Sequence, residues 1–377
     1  MRIAIPKEPA GERRVALTPP VVVRLIEQRH EVSVETGAGA EAGFDDEQFR
    51  SAGADVVSDP LTGADVVLIV GPPTTAMIEA MPREAVLIGF LDPFATGPTV
   101  GAMVDRQISS FAMEAIPRTT LAQTMDALSS QATAAGYQAV LAAATVSPRL
   151  FPMLVTAAGT IPPVKLLVLG AGVAGLQAIA TAKRLGAVVS AYDIRPEVSQ
   201  QIESLGAKFV AAPVDESAAA ATGYAKEVAD ETQRRQQEAL GPHVADSDIV
   251  ITTAQIPGSQ APLLVSTEMV ERMRPGSVIV DVAAPTGGNC EPTRPGETII
   301  LNGVTIVGSV DLAGQVAMDA SHMYARNVAS LLARMTDEDG ALALDFEDEI
   351  ISEACITHEG KVNHPVVRRR MSQDDAK

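Results

Sequence analysis

Six residues, Gly170-Ala171-Gly172-Val173-Ala174-Gly175, constrain the fold of this chain more than any other stretch, because of what flanks them. The run Val164-Lys165-Leu166-Leu167-Val168-Leu169 reads as a buried parallel strand, and Leu176 to Leu185 reads as a helix. A second strand, Ala187-Val188-Val189-Ser190-Ala191-Tyr192, then ends at Asp193. Strand, glycine turn, helix, strand and acid in that order form the fingerprint of a dinucleotide-binding βαβ unit. The glycines alone would say little, and such a turn also occurs in Rossmann-like domains that bind no nucleotide.

Each position in the turn has a physical task. Gly170 permits the tight turn out of the strand, Gly172 lets a pyrophosphate approach the backbone, and Gly175 lets the helix pack closely on the sheet. The N-terminus of the helix that follows directs unpaired N–H groups and the positive end of its dipole at the phosphates. Asp193 is placed to accept hydrogen bonds from the adenosine ribose hydroxyls, and its charge repels a 2′-phosphate, which favours NAD(H) over NADP(H). Arg195 complicates this preference, since an Arg at such a position can accommodate the phosphate.

A chain of 377 residues is long for one core and suggests two domains. Few aromatics and much Ala, Val, Gly and Ile suit parallel sheets buried on both faces. The net charge of −18 argues against nucleic acid or an anionic membrane surface as partner. The run Arg368-Arg369-Arg370 reads as a solvated tail. No apolar stretch approaches the roughly 18–20 residues of a membrane span, and no signal peptide is read at the N-terminus, so a cytoplasmic location is expected. Cys290 and Cys355 form no CxxC, and the five histidines lack ligand spacing, so neither a metal nor a disulfide is expected.

Strand candidates Arg2–Ile5, Val32–Glu35, Ala54–Val57, Asp65–Val70, Ala85–Phe90 and Ile108–Met113 alternate with helical segments such as Pro20–Gln28 and Asp46–Ala52. The spacing predicts a second doubly wound parallel sheet, without a glycine fingerprint of its own. Thr119 to Thr145 reads as one long helix linking the domains. Further strands are expected at Asp248–Thr253, Ser277–Ala283 and Thr305–Gly308, and a helix from about Val316 to Arg334 that crosses back to the first domain. The expected architecture is therefore α/β, two Rossmann-like doubly wound domains joined by long helices. One is discontinuous, residues 1–125 with 318–377, and the other is the nucleotide-binding domain, residues 126–317. The polar segment Pro213–His243 reads equally well as a lid or as an exposed helical excursion.

Pro117 to Ser130 is rich in polar groups for the start of a helix. Gln123 and Asp126, three apart, would share a helix face that Ser130 extends, with Ser129 beside it. Such a face in an interdomain cleft suits a nicotinamide carboxamide and its ribose, and Arg118 suits a phosphate or carboxylate. Ordinary capping of a helix N-terminus accounts for the same residues.

Taken together, these stretches resemble the NAD(H)-binding subunit of proton-translocating nicotinamide nucleotide transhydrogenase, a relative of alanine dehydrogenase. The likeness runs through Ile5-Pro6-Lys7-Glu8, Arg14 to Pro19, Glu35 to Gly39, Pro117–Gly136, Thr156 to Gly159, Gly170–Gly186, Gly223-Tyr224-Ala225-Lys226, Thr252 to Gly258 and Gly276–Cys290. The Arg118, Gln123 and Asp126 set and the Gly-Tyr-Ala-Lys stretch resemble the transhydrogenase side.

The resemblance implies roles by position. Arg118, Gln123, Asp126 and Ser129 match the loop that holds the nicotinamide end; Ala171, Gly172 and Val173 match the pyrophosphate turn. Asp193, Ile194 and Arg195 match the adenosine-ribose contacts. Gly223 and Tyr224 match a loop that closes over nucleotide, and Ala254 and Gln255 match the segment beside the nicotinamide. It further implies a homodimer docked on an NADP(H)-binding subunit and a membrane-spanning proton channel, hence a peripheral place at the inner membrane. Leu121 stands where some members carry a second Arg, and Gln255 where an apolar residue is usual.

The first-domain Lys and His that the resemblance assigns to alanine dehydrogenases are missing from Val67–Pro72 and Phe90–Pro93, and Pro285 stands in place of their acid. Direct hydride passage between two nicotinamide rings needs no such acid–base groups. An alanine-type dehydrogenase and a non-catalytic NAD(H)-sensing module are the alternative readings.

Overall fold

A computed structural model describes residues 1–94, 98–211, 225–255 and 259–374. The chain divides into two compact units, Met1–Gln131 with Ala313–Lys377, and Ala132–Leu312. Each contains one dominant, mostly parallel sheet with the strand order of a doubly wound fold.

The first unit begins with β1 (Arg2–Ile5), β2 (Glu31–Glu35), β3 (Asp55–Val57), β4 (Val66–Leu68), β5 (Val86–Gly89) and β6 (Ser109–Ala112). These pair in parallel in the order β3-β2-β1-β4-β5-β6. The second unit carries the short antiparallel hairpin β7 (Leu154–Thr156) and β8 (Gly159–Ile161), then β9 (Lys165–Leu169), β10 (Val188–Tyr192), β11 (Lys208–Phe209), β12 (Ile249–Thr252), β13 (Val278–Asp281), β14 (Thr298–Leu301) and β15 (Val304–Gly308). Its sheet runs β11-β10-β9-β12-β13-β15-β14, with only β14 antiparallel. The chain then returns to the first unit, where β16 (Cys355–His358) adds antiparallel to β6 and β17 (Lys361–Val362) completes the edge.

β9 shows why apolar runs without alternation become central strands. Leu166 and Val168 enter the core on one face, Leu167 and Leu169 the core on the other, and all four are buried. Each side chain contributes roughly 1.5–3 kcal/mol of burial, so both faces must be covered by helices. In both sheets the strand order reverses at one point, between β1 and β4 in the first and between β9 and β12 in the second. Crevices for ligands arise there, beyond the carboxyl ends of the strands.

Three expectations need correction. The helix expected from Thr119 does not start there: Thr120–Met125 is a 3-10 helix, Asp126 breaks it with ψ 83°, and the α-helix runs Ala127–Val146. The Asp126 side chain accepts the Ser129 N–H, which favours a fresh helix start over continuation. Gln123 and Asp126 therefore do not share an α-helical face. Of Pro213–His243, residues 213–224 lie outside the described residues; the rest belongs to the helix Ala225–Asp246, which is helical as one reading had it but is not wholly exposed, since its Leu240 is a core residue. Finally, Arg368–Arg370 is no free tail. It lies in the helix Pro365–Asp374, where Arg368 bonds the Val362 carbonyl and Arg370 bonds that of Phe94 and covers its ring.

Candidate nucleotide site

The glycine turn lies at the reversal point of the second sheet. Gly170 leaves β9 with φ +97°, in the left-handed region that a side chain disfavours. A Cβ on Gly170 would also meet the Ala254 nitrogen at 2.9 Å. One on Gly175 would lie 1.9 Å from the Gly170 carbonyl oxygen, so only glycine lets the helix Val173–Arg184 start this close to the strand. Gly172 is different. It caps that helix without any side-chain cap bond, is exposed, and would meet nothing with an added Cβ. Its surroundings are open for a ligand to approach backbone N–H groups at the positive end of a helix.

Asp193 sits at the end of β10, buried. Its Oδ2 accepts the Ala171 backbone N–H at 2.7 Å, and its Oδ1 accepts the Arg195 backbone N–H and Nε, both at 2.9 Å. Burial pushes the Asp193 carboxyl up, yet the Arg195 side chain and the Arg195 and Ala171 N–H groups outweigh it and hold the group below the ordinary carboxylate value. Asp193 is thus ionised, and of the four hydrogen bonds it accepts, the one from Ala171 braces the turn. Arg195 is tied to Asp193, while Ile194 between them exposes 54% of its surface and Val173 exposes 42%.

The other wall is a network that local sequence patterns do not announce. Thr253 Oγ1 donates to the Gly170 carbonyl at 2.9 Å. Ala254 next to it is held at both N and O by the amide of Asn289. Gln255 is exposed, its Nε2 3.4 Å from the Val282 carbonyl. Helix packing behind the turn depends on Gly136, whose added Cβ would lie 2.1 Å from the Ala174 carbonyl. The only signal that Gly136 mattered was its position inside an otherwise good helix former.

In the first unit, Asp126 Oδ1 and Oδ2 accept the Ser129 N–H at 2.9 Å and Oγ at 2.6 Å. Ser130 does not extend their face: its hydroxyl goes to Asn327, which also bonds the Thr124 carbonyl. Arg118, Leu121 and Gln123 are exposed. Gly223 and Tyr224 lie outside the described residues. The reversal point of this first sheet is filled by its own chain. Glu8 takes the N–H groups of Val70 at 2.6 Å and Gly71 at 3.1 Å, and the buried Tyr324 hydroxyl donates to the Ile69 carbonyl at 2.7 Å. The Val70 and Gly71 N–H groups are thus already used there.

Cys290 and Cys355 are both buried and free, and burial pushes each thiol up to about 12, so neither is a nucleophile at neutral pH.

A glycine turn with a free helix N-terminus, an ionised acid at the next strand end and a second doubly wound unit define a dinucleotide-binding α/β chain of the Rossmann type. Comparison with known proteins narrows the class. Residues 4–135 match the model for the alanine dehydrogenase/PNT N-terminal domain, and residues 139–365 the model for the C-terminal domain. The chain belongs to the alanine dehydrogenase/PNT family, NAD-binding oxidoreductases of Rossmann-like fold. It is 46% identical over 379 residues to an NAD(P) transhydrogenase subunit alpha protein of Rhodospirillum rubrum, covering 97% of this chain and 99% of that protein. The solved structure of transhydrogenase from Sinorhizobium meliloti is 45% identical, covers 96% of this chain and 99% of its own, and superposes with a TM-score of 0.87. Alanine dehydrogenase of Bacillus subtilis is more distant, 29% identical over 391 residues, 99% of this chain and 96% of that protein.

Proposed function

We propose that this chain is the NAD(H)-binding subunit of a three-component transhydrogenase. It would bind NADH and present it for hydride transfer to NADP⁺ on a partner subunit, giving NAD⁺ and NADPH, coupled to proton translocation through a membrane-spanning partner. The observation that carries the NAD(H) preference is the ionised Asp193 with Arg195 folded onto it. A carboxylate held there complements ribose hydroxyls and repels a 2′-phosphate, while the guanidinium is occupied. Similarity to a transhydrogenase subunit at 46% against 29% for an alanine dehydrogenase, both along nearly the whole chain, favours transhydrogenation over amino-acid oxidation.

In this reading Gly170, Ala171, Gly172, Val173 and Gly175 hold the pyrophosphate and Asp193, Ile194 and Arg195 the adenosine end. Arg118, Gln123, Asp126, Ser129, Ala254 and Gln255 orient the nicotinamide, and Gly223 and Tyr224 cover the nucleotide. Catalysis is positioning and exclusion of water, since hydride passes directly between rings. The domain division proposed for this task is residues 1–125 with 318–377 and residues 126–317. A homodimer is supported by the hairpin β7–β8, which exposes Leu154, Val155 and Ile161, with Met153 just before it. Among the described residues no helix is long and apolar enough to cross a membrane, which suits attachment to the cytoplasmic face of the cell membrane through partner subunits.

The test is reconstitution. The purified chain alone is expected to bind NADH and to oxidise nothing, and to support transhydrogenation when mixed with an NADP(H)-binding partner. Turnover of alanine or pyruvate by the chain alone would overturn the reading. NADH binding without transhydrogenation in the mixture would make it a sensing module.

A further inference from the structure

Asn289 is fully buried and uses every polar atom it has. Its amide Oδ1 accepts the Ala254 N–H at 3.0 Å, and Nδ2 donates to the carbonyls of Ala254 at 2.8 Å and Pro262 at 2.7 Å. Its own carbonyl accepts the N–H groups of Leu264 and Val265, and its N–H goes to Asp281 Oδ2 at 2.9 Å. Only a primary amide offers one acceptor and two donors in this planar arrangement. The side chain therefore ties together the two ends of the chain between Ala254 and Pro262, and Gln255 follows directly on the tied residue.

Asp281 supports the amide from behind. It is completely buried at the end of β13 and accepts five donors: Thr252 Oγ1, Thr293 Oγ1 and the N–H groups of Ala283, Asn289 and Cys290. So many donors compensate a buried carboxylate without a cation. Thr253 continues the chain of bonds to the Gly170 carbonyl. Asp281, Asn289, Ala254, Thr253 and Gly170 thus form a nearly continuous polar path from one strand end to the turn of another, across the reversal point of the sheet.

From this geometry we infer that Asn289, backed by Asp281, is a positioning residue that sets Ala254 and Gln255 against the nicotinamide end of the bound nucleotide. The inference rests on the NAD(H)-binding reading given above. Asn289 does not touch the nucleotide itself; it acts through the backbone of Ala254. Asp193 and Gly172, the proposed adenosine and pyrophosphate contacts, are not among its hydrogen-bond partners.

The experiment compares NADH with ADP-ribose, which has the same adenosine and pyrophosphate but no nicotinamide. Both are titrated against the full chain and against Asn289→Ala and Asn289→Asp. The Asp variant keeps the shape and the bond to the Ala254 N–H but faces two carbonyls with an acceptor, and ADP-ribose binding reports whether each variant is folded. The expected result is a loss of NADH affinity of about tenfold, the scale of one unsatisfied buried hydrogen-bond group, with ADP-ribose affinity little changed. Equal losses for both ligands would make Asn289 merely structural and overturn the inference, as would no loss for either. Wild-type protein that binds neither ligand would instead sink the NAD(H) reading, so the two failures are distinguishable.

Discussion

Asp193 Oδ2 accepts the Ala171 N–H at 2.7 Å, so the acid that ends β10 also braces the turn that ends β9. The two residues are 22 apart in sequence, yet the parallel pairing of β9 with β10 brings them to the same edge of the sheet. One carboxylate thereby braces the glycine turn and, in the proposed reading, presents its charge toward the ribose. Its bond to Arg195 keeps that charge in place, although the half-exposed guanidinium makes the ion pair itself a modest contributor.

Replacing Asp193 should therefore damage two things at once. Asp193→Asn is expected to weaken NADH binding about tenfold or more, the scale of a charge-assisted hydrogen bond, and to reduce discrimination against NADPH. Titration by nucleotide fluorescence with both ligands checks this. An unchanged preference for NADH would show that Asp193 does not set it.

Gly175 and Gly172 make a contrasting pair. Gly175→Ala places Cβ 1.9 Å from the Gly170 carbonyl oxygen and should destabilise the chain by about 1–3 kcal/mol or more, seen as a lower melting temperature. Gly172→Ala meets open space and should leave melting nearly unchanged while weakening NADH binding, because the methyl group intrudes where the pyrophosphate approaches. Equal effects on melting for the two variants would contradict this division.

Two carboxylates in the first unit make its stability depend on pH. Burial pushes Glu8 up to about 7 against the opposing bonds from Val70 and Gly71, with Glu12 raising it further and Arg14 lowering it. Burial also pushes Glu114 up to about 7 against bonds from its own N–H, Asp92 and Leu91. Both folded values lie above the ordinary 4.5, so the folded state binds these protons more tightly than the unfolded chain. The stability they contribute is complete below about 4.5 and is lost as pH rises through about 7. Melting temperature should fall between about pH 4.5 and 7 on this account, and less steeply in Glu8→Gln with Glu114→Gln. A fall equally steep in the double variant would assign it to other groups.

The hairpin offers a test of assembly. Val155 exposes 74% of its surface on β7, and Val155→Asp puts a charge at the centre of the apolar patch. The wild-type chain is expected to sediment as a dimer and the variant as a monomer, with melting of each unit little altered. A wild-type monomer, or a variant that stays dimeric, would remove the hairpin from the interface.

Much of this architecture was readable along the chain. The central strands are apolar runs bounded by turn residues, and the strands expected at Arg2–Ile5, Ala187–Tyr192 and Asp248–Thr253 appear within a residue or so of those positions. What misled was Thr119 to Met125. Its composition favours helix and it does form one, but of the tighter 3-10 kind, and Asp126 then competes with the backbone for the Ser129 N–H. A propensity summed over a window does not resolve that competition.

The sequence by itself determined the dinucleotide fingerprint, the pair of doubly wound sheets and the acid at position 193, because periodicity and turn chemistry act within a dozen residues. Only the tertiary structure decided that Asn289 clamps Ala254, that Gly136 makes room for Ala174, and that Glu8 closes the first sheet's crevice with the N–H groups of Val70 and Gly71. Those partners lie 35 to 63 positions apart. Their pairing depends on which strand ends the sheet order brings together, and no local pattern carries that information.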